Sequence, residues 1–495
     1  MNPRIVRLTY VSLGLLTSLV CMTTYWQTWA APGLAAREDN SLQRVADLRI
    51  ERGLVLSFAP RALLARNVVR EVDGQRLFFR RYPRGPLAAH VVGYSTAARS
   101  RTGLERSLND YLTGASGNLA SVLDRTLSEL RGTPVRGNDV VTTLDLEAQR
   151  VALDELGSRC GAVFAFDPRN GKVKAMVSSP SFDPNLVEQR FGRIARIAAD
   201  CRPAAPLVNR ASAGLYVPGS TFKVVTAAAA LESGRYEPTS TFFDPGYCTV
   251  YGRRVSNFDT TRPFGTITLE SALVYSVNSV FCNIGLELGA KAILRQARRF
   301  GFYERPPLET PVDERRPSGL YRDGKLWMPA RDSDVDAGRM AFGQERLLVT
   351  AQQMAMVAGA IGVGGRLTEP HVVDRIVAPD GNVVVRARPK LLRRAVSRDT
   401  AEAIARMMRL AVERGTGTAA QIPGWSVGGK TGTGETGIPG VNTTWFIAFA
   451  SRDEDSPAEL AIAVVLERQS GTGGTTAAPI ARAVMEAILR SKENP

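Results

Sequence analysis

The strongest constraint on this chain is its first uncharged stretch. No Asp, Glu, Lys or Arg occurs from Leu8 to Ala36, and Leu8–Trp26 is a run of 19 mostly apolar residues. A helix rising about 1.5 Å per residue over that run nearly spans the ~30 Å hydrocarbon layer, so a single membrane pass is expected. Arg4 and Arg7 precede the run, and Tyr25, Trp26 and Trp29 stand at its far end. The positive-inside rule and the aromatic belt then place the N-terminus in the cytoplasm and everything after about Ala30 outside. Ala31-Pro32-Gly33 offers small residues for a signal-peptidase cut. The apolar run is longer than a usual h-region, and an uncleaved anchor is the expectation.

The rest of the chain must fold in water. With 495 residues, 44% hydrophobic and 22% charged, the chain reads as globular protein of roughly three domains, not as a disordered or polytopic one. Its net charge of +15 comes from scattered basic residues with no run and no aromatic-interleaved stripe, so nucleic acid is not expected as a partner. Only His90 and His371 are present. A His-rich metal site is out of reach, neither metal nor cofactor is expected, and serine chemistry here needs a base other than imidazole. Outside the apolar run lie Cys160, Cys201, Cys248 and Cys282, an even number in a compartment that permits disulfides. Three pairings are possible, and nearest-neighbour pairing, Cys160 with Cys201 and Cys248 with Cys282, is the working expectation.

From Asn40 to about Asn138, short apolar alternations such as Arg76-Leu77-Phe78-Phe79 mix with Pro and Gly punctuation at Tyr82–Pro86, as in a modest α+β module. A break at Gly132–Gly137 closes it. Thr143 then reads as an N-cap for a helix through Asp145–Leu153. Cys160–Phe166 and Lys172–Val177 read as strands joined by Asp167–Gly171, whose Asn-Gly supplies the positive φ of a hairpin. Thr444–Ala450 and Leu460–Leu466 read as two more strands, and Ala477–Leu489 as a closing helix. The fold class is therefore α+β: an antiparallel sheet covered by helices, with its first and last strands brought together.

Three short motifs carry chemistry. Ser220-Thr221-Phe222-Lys223 opens the Ala-rich helical run Val224–Leu231, which Gly234 can end. Residues three apart share a helix face, so Lys223 can set its amine beside the Ser220 hydroxyl, and a lysine buried near another cation gives up its proton more easily. Ser276-Val277-Asn278 follows 56 positions on, inside the helical-looking stretch Leu269–Gly285, and Lys430-Thr431-Gly432-Thr433 comes 154 positions later. Ser-x-x-Lys, Ser-x-Asn and Lys-Thr-Gly in that order are the set shared by penicillin-binding proteins and serine β-lactamases. Ser116-Gly117-Asn118 precedes the serine and is set aside as a chance match.

For acyl transfer from a peptide, Ser220 is the candidate nucleophile and Lys223 its base. Ser276 can relay a proton to the leaving nitrogen, and the Asn278 amide can hold the peptide carbonyl. Lys430 with the hydroxyls of Thr431 and Thr433 suits a terminal carboxylate. Gly432, lacking Cβ, lets the substrate backbone lie close against its strand. The backbone N–H groups of Ser220 and Thr433 are the natural oxyanion hole, each donor worth about 3 kcal/mol in other enzymes.

On these residues the chain resembles the class B penicillin-binding proteins, close to the short penicillin-binding protein A subgroup, over almost its whole length. Val208–Ala211 and Tyr216–Ser220 resemble the family's approach to its nucleophile, and Phe342–Glu345 with Val349–Ala355 its Gly-Gln segment and following helix. Trp445–Phe449 resembles the strand after its Lys-Thr-Gly. Arg52-Gly53, Arg80–Pro83, His90–Tyr94 and Thr102–Glu105 resemble its pedestal. Ala351, Thr444 and Ser57–Pro60 depart from the usual pattern.

The resemblance implies a cytoplasmic tip and membrane anchor (1–30), a pedestal (31–138) and a transpeptidase domain (139–495) with the penicillin-binding, β-lactamase-like fold. It implies a peptidoglycan D,D-transpeptidase acting on D-Ala-D-Ala stem peptides and acylated by β-lactams. A separate glycosyltransferase and elongation or division proteins are implied as partners. D,D-carboxypeptidase is the alternative the motifs leave open. No Glu-x-x-x-Asn of the class A β-lactamase type lies between Asn278 and Lys430. A penicillin-sensing receptor or inactive divisome scaffold is a further alternative, and the seven residues before the apolar run weigh against the receptor.

Overall fold

The structure is a computed structural model describing residues 3–26, 47–97, 99–115, 136–259 and 263–493. Trp29, Ala31–Gly33, Ser116–Asn118 and the start of the Gly132–Gly137 break lie outside the described residues. Pro3–Tyr25 forms one helix of 23 residues, none of them buried, long and apolar enough to cross a membrane.

The pedestal is built on a hairpin. Leu63–Val72 and Gln75–Arg81 pair antiparallel around Asp73-Gly74, both at positive φ (51° and 73°), the geometry of a tight type I′ turn. The hairpin belongs to a six-stranded sheet completed by Val55–Leu56, Asp139–Thr142, Val373–Val377 and Val383–Arg386. A chain cut at residue 138 therefore runs through this sheet, because three of its strands lie beyond that point. Across the sheet's inner side the fully buried Glu105 takes Arg52 Nη2 at 2.9 Å and Arg80 Nε at 2.7 Å. Burial alone would raise the Glu105 carboxyl, but the two guanidinium groups outweigh it and hold the carboxyl below its ordinary range. The departure at Ser57–Pro60 keeps a turn, in which Ser57 Oγ accepts from Ala62 N (3.0 Å).

The second body is a sheet between two cores. Its strands are β1 (Gly161–Phe166), β2 (Val173–Ser179), β3 (Ser426–Glu435), β4 (Asn442–Ser451) and β5 (Leu460–Gln469), in the order β3-β4-β5-β1-β2, all antiparallel. Of the helices α1 (Leu146–Leu156), α2 (Lys223–Glu232), α3 (Asn278–Leu288), α4 (Ala351–Gly362) and α5 (Gly473–Glu493), α1, α4 and α5 pack on its strands, and α2 and α3 pack on each other. Successive residues of a strand point to opposite faces. Phe164, Phe166, Ile447, Phe449 and Ala463 accordingly join the core under α2 and α4, while Val163, Ala165, Phe446, Ala448 and Ile462 join that under α1 and α5. This explains why the strands read as unbroken apolar runs.

The expected strands, the Gly171 turn (φ 86°) and the pairing of first strand with last (Ala461 opposite Phe166) are all present. Both expected disulfides are present as well, Cys160–Cys201 and Cys248–Cys282. One cap differs. Asp145, not Thr143, caps α1, accepting from Glu147 N and Ala148 N, because the Thr143 hydroxyl is spent on Val173 O at 2.6 Å.

Replacing Glu105 with Gln leaves two buried arginines facing one neutral amide. Removing one partner of such a set costs about 3–5 kcal/mol, so chemical unfolding of Glu105→Gln should show that loss with the earliest hydrogen exchange in the pedestal. Since the folded carboxyl titrates below its unfolded value of 4.5, the stabilisation is fully present above pH 4.5 and disappears as pH falls through the folded value. Wild-type stability in the variant would contradict this role.

Candidate active site

The Ser220 turn is fixed from three sides. Gly219–Phe222 is a 3-10 turn running directly into α2, whose residues Lys223–Ala230 are all buried. Gly219 N donates to Gly343 O (3.0 Å), Tyr216 and Val349 exchange backbone bonds of 3.0 and 2.8 Å, and the buried Trp445 Nε1 donates to Val217 O (3.0 Å). Strand β3, at the sheet edge, lies against the turn so tightly that a Cβ on Gly432 would fall 2.7 Å from Pro218 O and 2.8 Å from Thr221 Cγ2. The missing Cβ of Gly432 thus makes room for the protein's own turn, which corrects the expectation that it makes room for substrate.

The stretch Leu269–Gly285 is not one helix. A helix at Leu269–Val274 stops, Ser276 takes φ = 62°, and α3 starts at Asn278. A positive φ is costly for a serine and persists only where its surroundings fix it. Here the surroundings are two lysines. Lys223 Nζ reaches Ser276 O (2.6 Å), Ser276 Oγ (3.3 Å) and Asn278 Oδ1 (2.7 Å). Lys430 Nζ reaches Ser276 Oγ (2.8 Å) and Thr431 O (3.0 Å). Both lysines are completely buried.

Burial, with the neighbouring Lys430 charge second, pushes the Lys223 ammonium well below an ordinary lysine, and burial lowers Lys430 to about 7. None of the Lys223 hydrogen bonds goes to Ser220; its three donors are spent on Ser276 and Asn278. Lys430 likewise points at Ser276 and is closed off from solvent, so the expectation that its ammonium meets a carboxylate directly is corrected.

The Ser276–Asn278 loop has its own support. Asp244 accepts from Ser279 Oγ, Asn257 Nδ2 and the backbone of Gly246 and Phe264, while Ser279 N donates to Asn257 Oδ1 (3.0 Å). Asn278 Nδ2 donates to Ser256 O (3.1 Å), at the end of a hairpin in which Tyr247–Val250 pairs with Arg253–Ser256, and Cys248–Cys282 ties that hairpin to α3. Ser220, Ser276, Asn278, Thr431, Gly432 and Thr433 line one cleft of about 820 Å³, with Lys223 and Lys430 immediately beneath. The cleft also holds residues that no motif singled out, including Arg254 and Thr416, whose hydroxyl bonds Thr431 Oγ1 at 2.6 Å. Gln344 lines it from the Gly-Gln segment. Neither histidine takes part. His90 bonds Pro206 O and is lowered to about 4 by burial, and His371, also lowered by burial, lies by Lys172.

Residues 161–486 match the family described as penicillin binding protein transpeptidase domain, and residues 52–140 match the penicillin binding protein A dimerisation domain. The chain belongs to the penicillin-binding protein transpeptidase family. A full-length relative in this family is the peptidoglycan D,D-transpeptidase PbpA of Mycobacterium tuberculosis, 33% identical over 99% of this chain and 100% of the relative. The PbpA of Mycolicibacterium smegmatis is 32% identical over 99% of each chain. Among solved structures, the ceftriaxone acyl-enzyme complex of penicillin-binding protein A from M. tuberculosis superposes with a TM-score of 0.79 at 31% identity, covering 90% of this chain and 100% of that one. The fold of this penicillin-binding protein is thus the fold expected from the sequence.

Gly432→Ala should force β3 away from the Ser220 turn. A displacement of about 1 Å at a reacting centre costs on the order of a hundredfold in rate, so stopped-flow acylation by a fluorescent penicillin should slow by about that factor while circular dichroism stays native. An unchanged rate would show that the close approach is dispensable.

Proposed function

We propose that this chain is a serine-type peptidoglycan D,D-transpeptidase in which Ser220 attacks the penultimate carbonyl of a stem peptide ending in D-Ala-D-Ala. The attack expels the terminal D-Ala, and the acyl group passes to an amine on a neighbouring strand. The observation that carries this reading is the Ser276 hydroxyl held between two buried lysines, 3.3 Å from one and 2.8 Å from the other, beside the cleft that Ser220 lines.

Lys223 is the base. As an ammonium it fills three acceptors; once it has lost one proton, its lone pair is free for the Ser220 hydroxyl proton. Ser220 and Lys223 stand three apart where the 3-10 turn passes into α2, a spacing that puts them on one face. Lys430 makes the neutral form of Lys223 more favourable. The proton taken from Ser220 travels through Ser276 to the leaving nitrogen, so each bond broken at the carbonyl is matched by a proton delivered.

Asn278 orients the peptide, the hydroxyls of Thr431 and Thr433 meet the terminal carboxylate, and the N–H groups of Ser220 and Thr433 hold the oxyanion. β-Lactams acylate the same serine. The organisation proposed is an anchor at 1–30 with its N-terminus in the cytoplasm, a pedestal at 31–138 and a transpeptidase part at 139–495 outside the membrane. A separate glycosyltransferase, working with elongation or division proteins, supplies the glycan strands.

Ser220→Ala should abolish labelling by fluorescent penicillin with the melting temperature nearly unchanged; retained labelling would refute the assignment. Lys223→Arg should also fail, because a guanidinium does not give up its proton at these pH values; wild-type acylation in that variant would remove Lys223 from the mechanism. In the wild type the rate should climb with pH as Lys223 becomes neutral and level off well below 10.5. A rise that continues through the ordinary lysine range would contradict the lowered value.

A further inference from the structure

A carboxylate outside the cleft is tied to the chain that leads into Ser220. Glu467, near the end of β5, accepts on one oxygen, Oε1, from both Arg210 Nε (2.8 Å) and the Tyr216 hydroxyl (2.9 Å). Its backbone N–H donates to Cys160 O at 2.8 Å, one residue ahead of β1. All three nitrogens of Arg210 are engaged: besides Nε, Nη1 donates to Ala205 O (3.2 Å) and Nη2 to Ala204 O (2.8 Å), with Nη2 also 3.5 Å from Cys201 Sγ. Cys201 is bonded to Cys160, and the two sulfurs and the Glu467 carboxylate lie within 4.8 Å of one another. A guanidinium so fully engaged, with its side chain only 5% exposed, has one position and sets that of the carboxylate.

Tyr216 carries this anchor to the nucleophile, which stands four residues further on. Burial, and then the Glu467 charge, push the phenol well above an ordinary tyrosine, so it remains a donor to the carboxylate. Its ring meets Trp445 edge-on, with centroids 6.0 Å apart, and lies so close to Gly214 that a Cβ added there would come within 2.5 Å of it. Its main chain exchanges hydrogen bonds with Val349, and Trp445 Nε1 takes the next carbonyl, Val217 O. Ring and backbone are thus packed from several sides, and the Glu467 bond fixes the remaining polar end. A reacting group has to be held to within about 0.5 Å by side chains that are themselves locked.

We propose that Glu467 is a positioning residue for Ser220: it holds the Tyr216 hydroxyl against the anchor formed by Arg210 and the Cys160–Cys201 disulfide, and so fixes the segment that delivers the nucleophile. This rests on the reading of Ser220 as the nucleophile. Glu467, Tyr216, Arg210 and the two cysteines are not among the residues lining the cleft. Their effect therefore falls on the acylation step and not on the non-covalent binding that precedes it.

Full-length protein in nanodiscs is mixed by stopped flow with a fluorescent penicillin at rising concentration, which separates the dissociation constant of the first complex from the acylation rate constant. Tyr216→Phe removes one oxygen and should lower the rate constant about tenfold, with the dissociation constant within about twofold of wild type. Glu467→Ala should match it, and Glu467→Gln, which keeps an oxygen of equal reach, should recover most of the rate. Added to Tyr216→Phe, Glu467→Ala should cost less than about a further twofold, because both act through one hydrogen bond. Cys160→Ala with Cys201→Ala should slow acylation in the wild type and leave Tyr216→Phe unchanged. A wild-type rate constant in Tyr216→Phe, losses that multiply in the double variant, or a loss confined to the dissociation constant would each overturn the proposal. If Glu467→Ala does not fold, the Tyr216→Phe measurement decides. Peptide mapping keeps the two readings apart: an adduct away from Ser220 defeats the nucleophile assignment, whereas a slowly formed adduct on Ser220 is the result expected here.

Discussion

Two ammonium groups buried side by side on one serine hydroxyl are the constraint around which the molecule is arranged. Among the described residues neither lysine has a carboxylate partner: Lys223 and Lys430 spend their hydrogen bonds on the hydroxyl and carbonyl of Ser276, on Asn278 Oδ1 and on Thr431 O. An unpaired buried cation is costly, and the least costly response is to shed a proton. A protein that keeps such a pair holds a base ready near neutral pH without a histidine. The cost is met by the hydrophobic packing on both faces of the five-stranded sheet.

The remaining structure supports that pair. Ser276 is held at a positive φ by its neighbours, and the Asp244–Asn257–Ser279 network with the Cys248–Cys282 disulfide fixes the loop from behind. Lys430 arrives on an edge strand that reaches the Ser220 turn only because Gly432 has no side chain, and Trp445 on the next strand bonds the same turn. The pedestal stands on its own buried charge set at Glu105 and is joined to the catalytic body through Arg106 with Asp313 and Tyr82 N with Asn185.

What the sequence made legible was local or strongly periodic. Ser220 and Lys223 are three residues apart, the core strands are unbroken apolar runs, and Asn-Gly marks a hairpin; each is decided within a few residues. What escaped was decided by distant contacts. No Gly or Pro announces the break at Ser276, because lysines 53 and 154 positions away impose it. Thr143 and Asp145 are both good N-caps, and the choice fell to Asp145 once a strand had claimed the Thr143 hydroxyl. The pedestal sheet takes two strands from beyond residue 370, which no local pattern could connect to it. Gly432 and Lys430 were recognised as important, but their direction, towards the protein's own turn and serine, needed the fold. Arg254 sits in a hairpin that carries no motif.

The chemistry depends on the protonation of two side chains, and these can be watched directly. With 13C-labelled lysine in the full-length protein, the Cε shifts of Lys223 and Lys430, assigned by their loss in Lys223→Met and Lys430→Met, are followed against pH. Lys430 should titrate near 7 and Lys223 well below the ordinary lysine value of 10.5. If both titrate with the surface lysines, neither is poised to give up its proton near neutral pH and the proposed base is wrong.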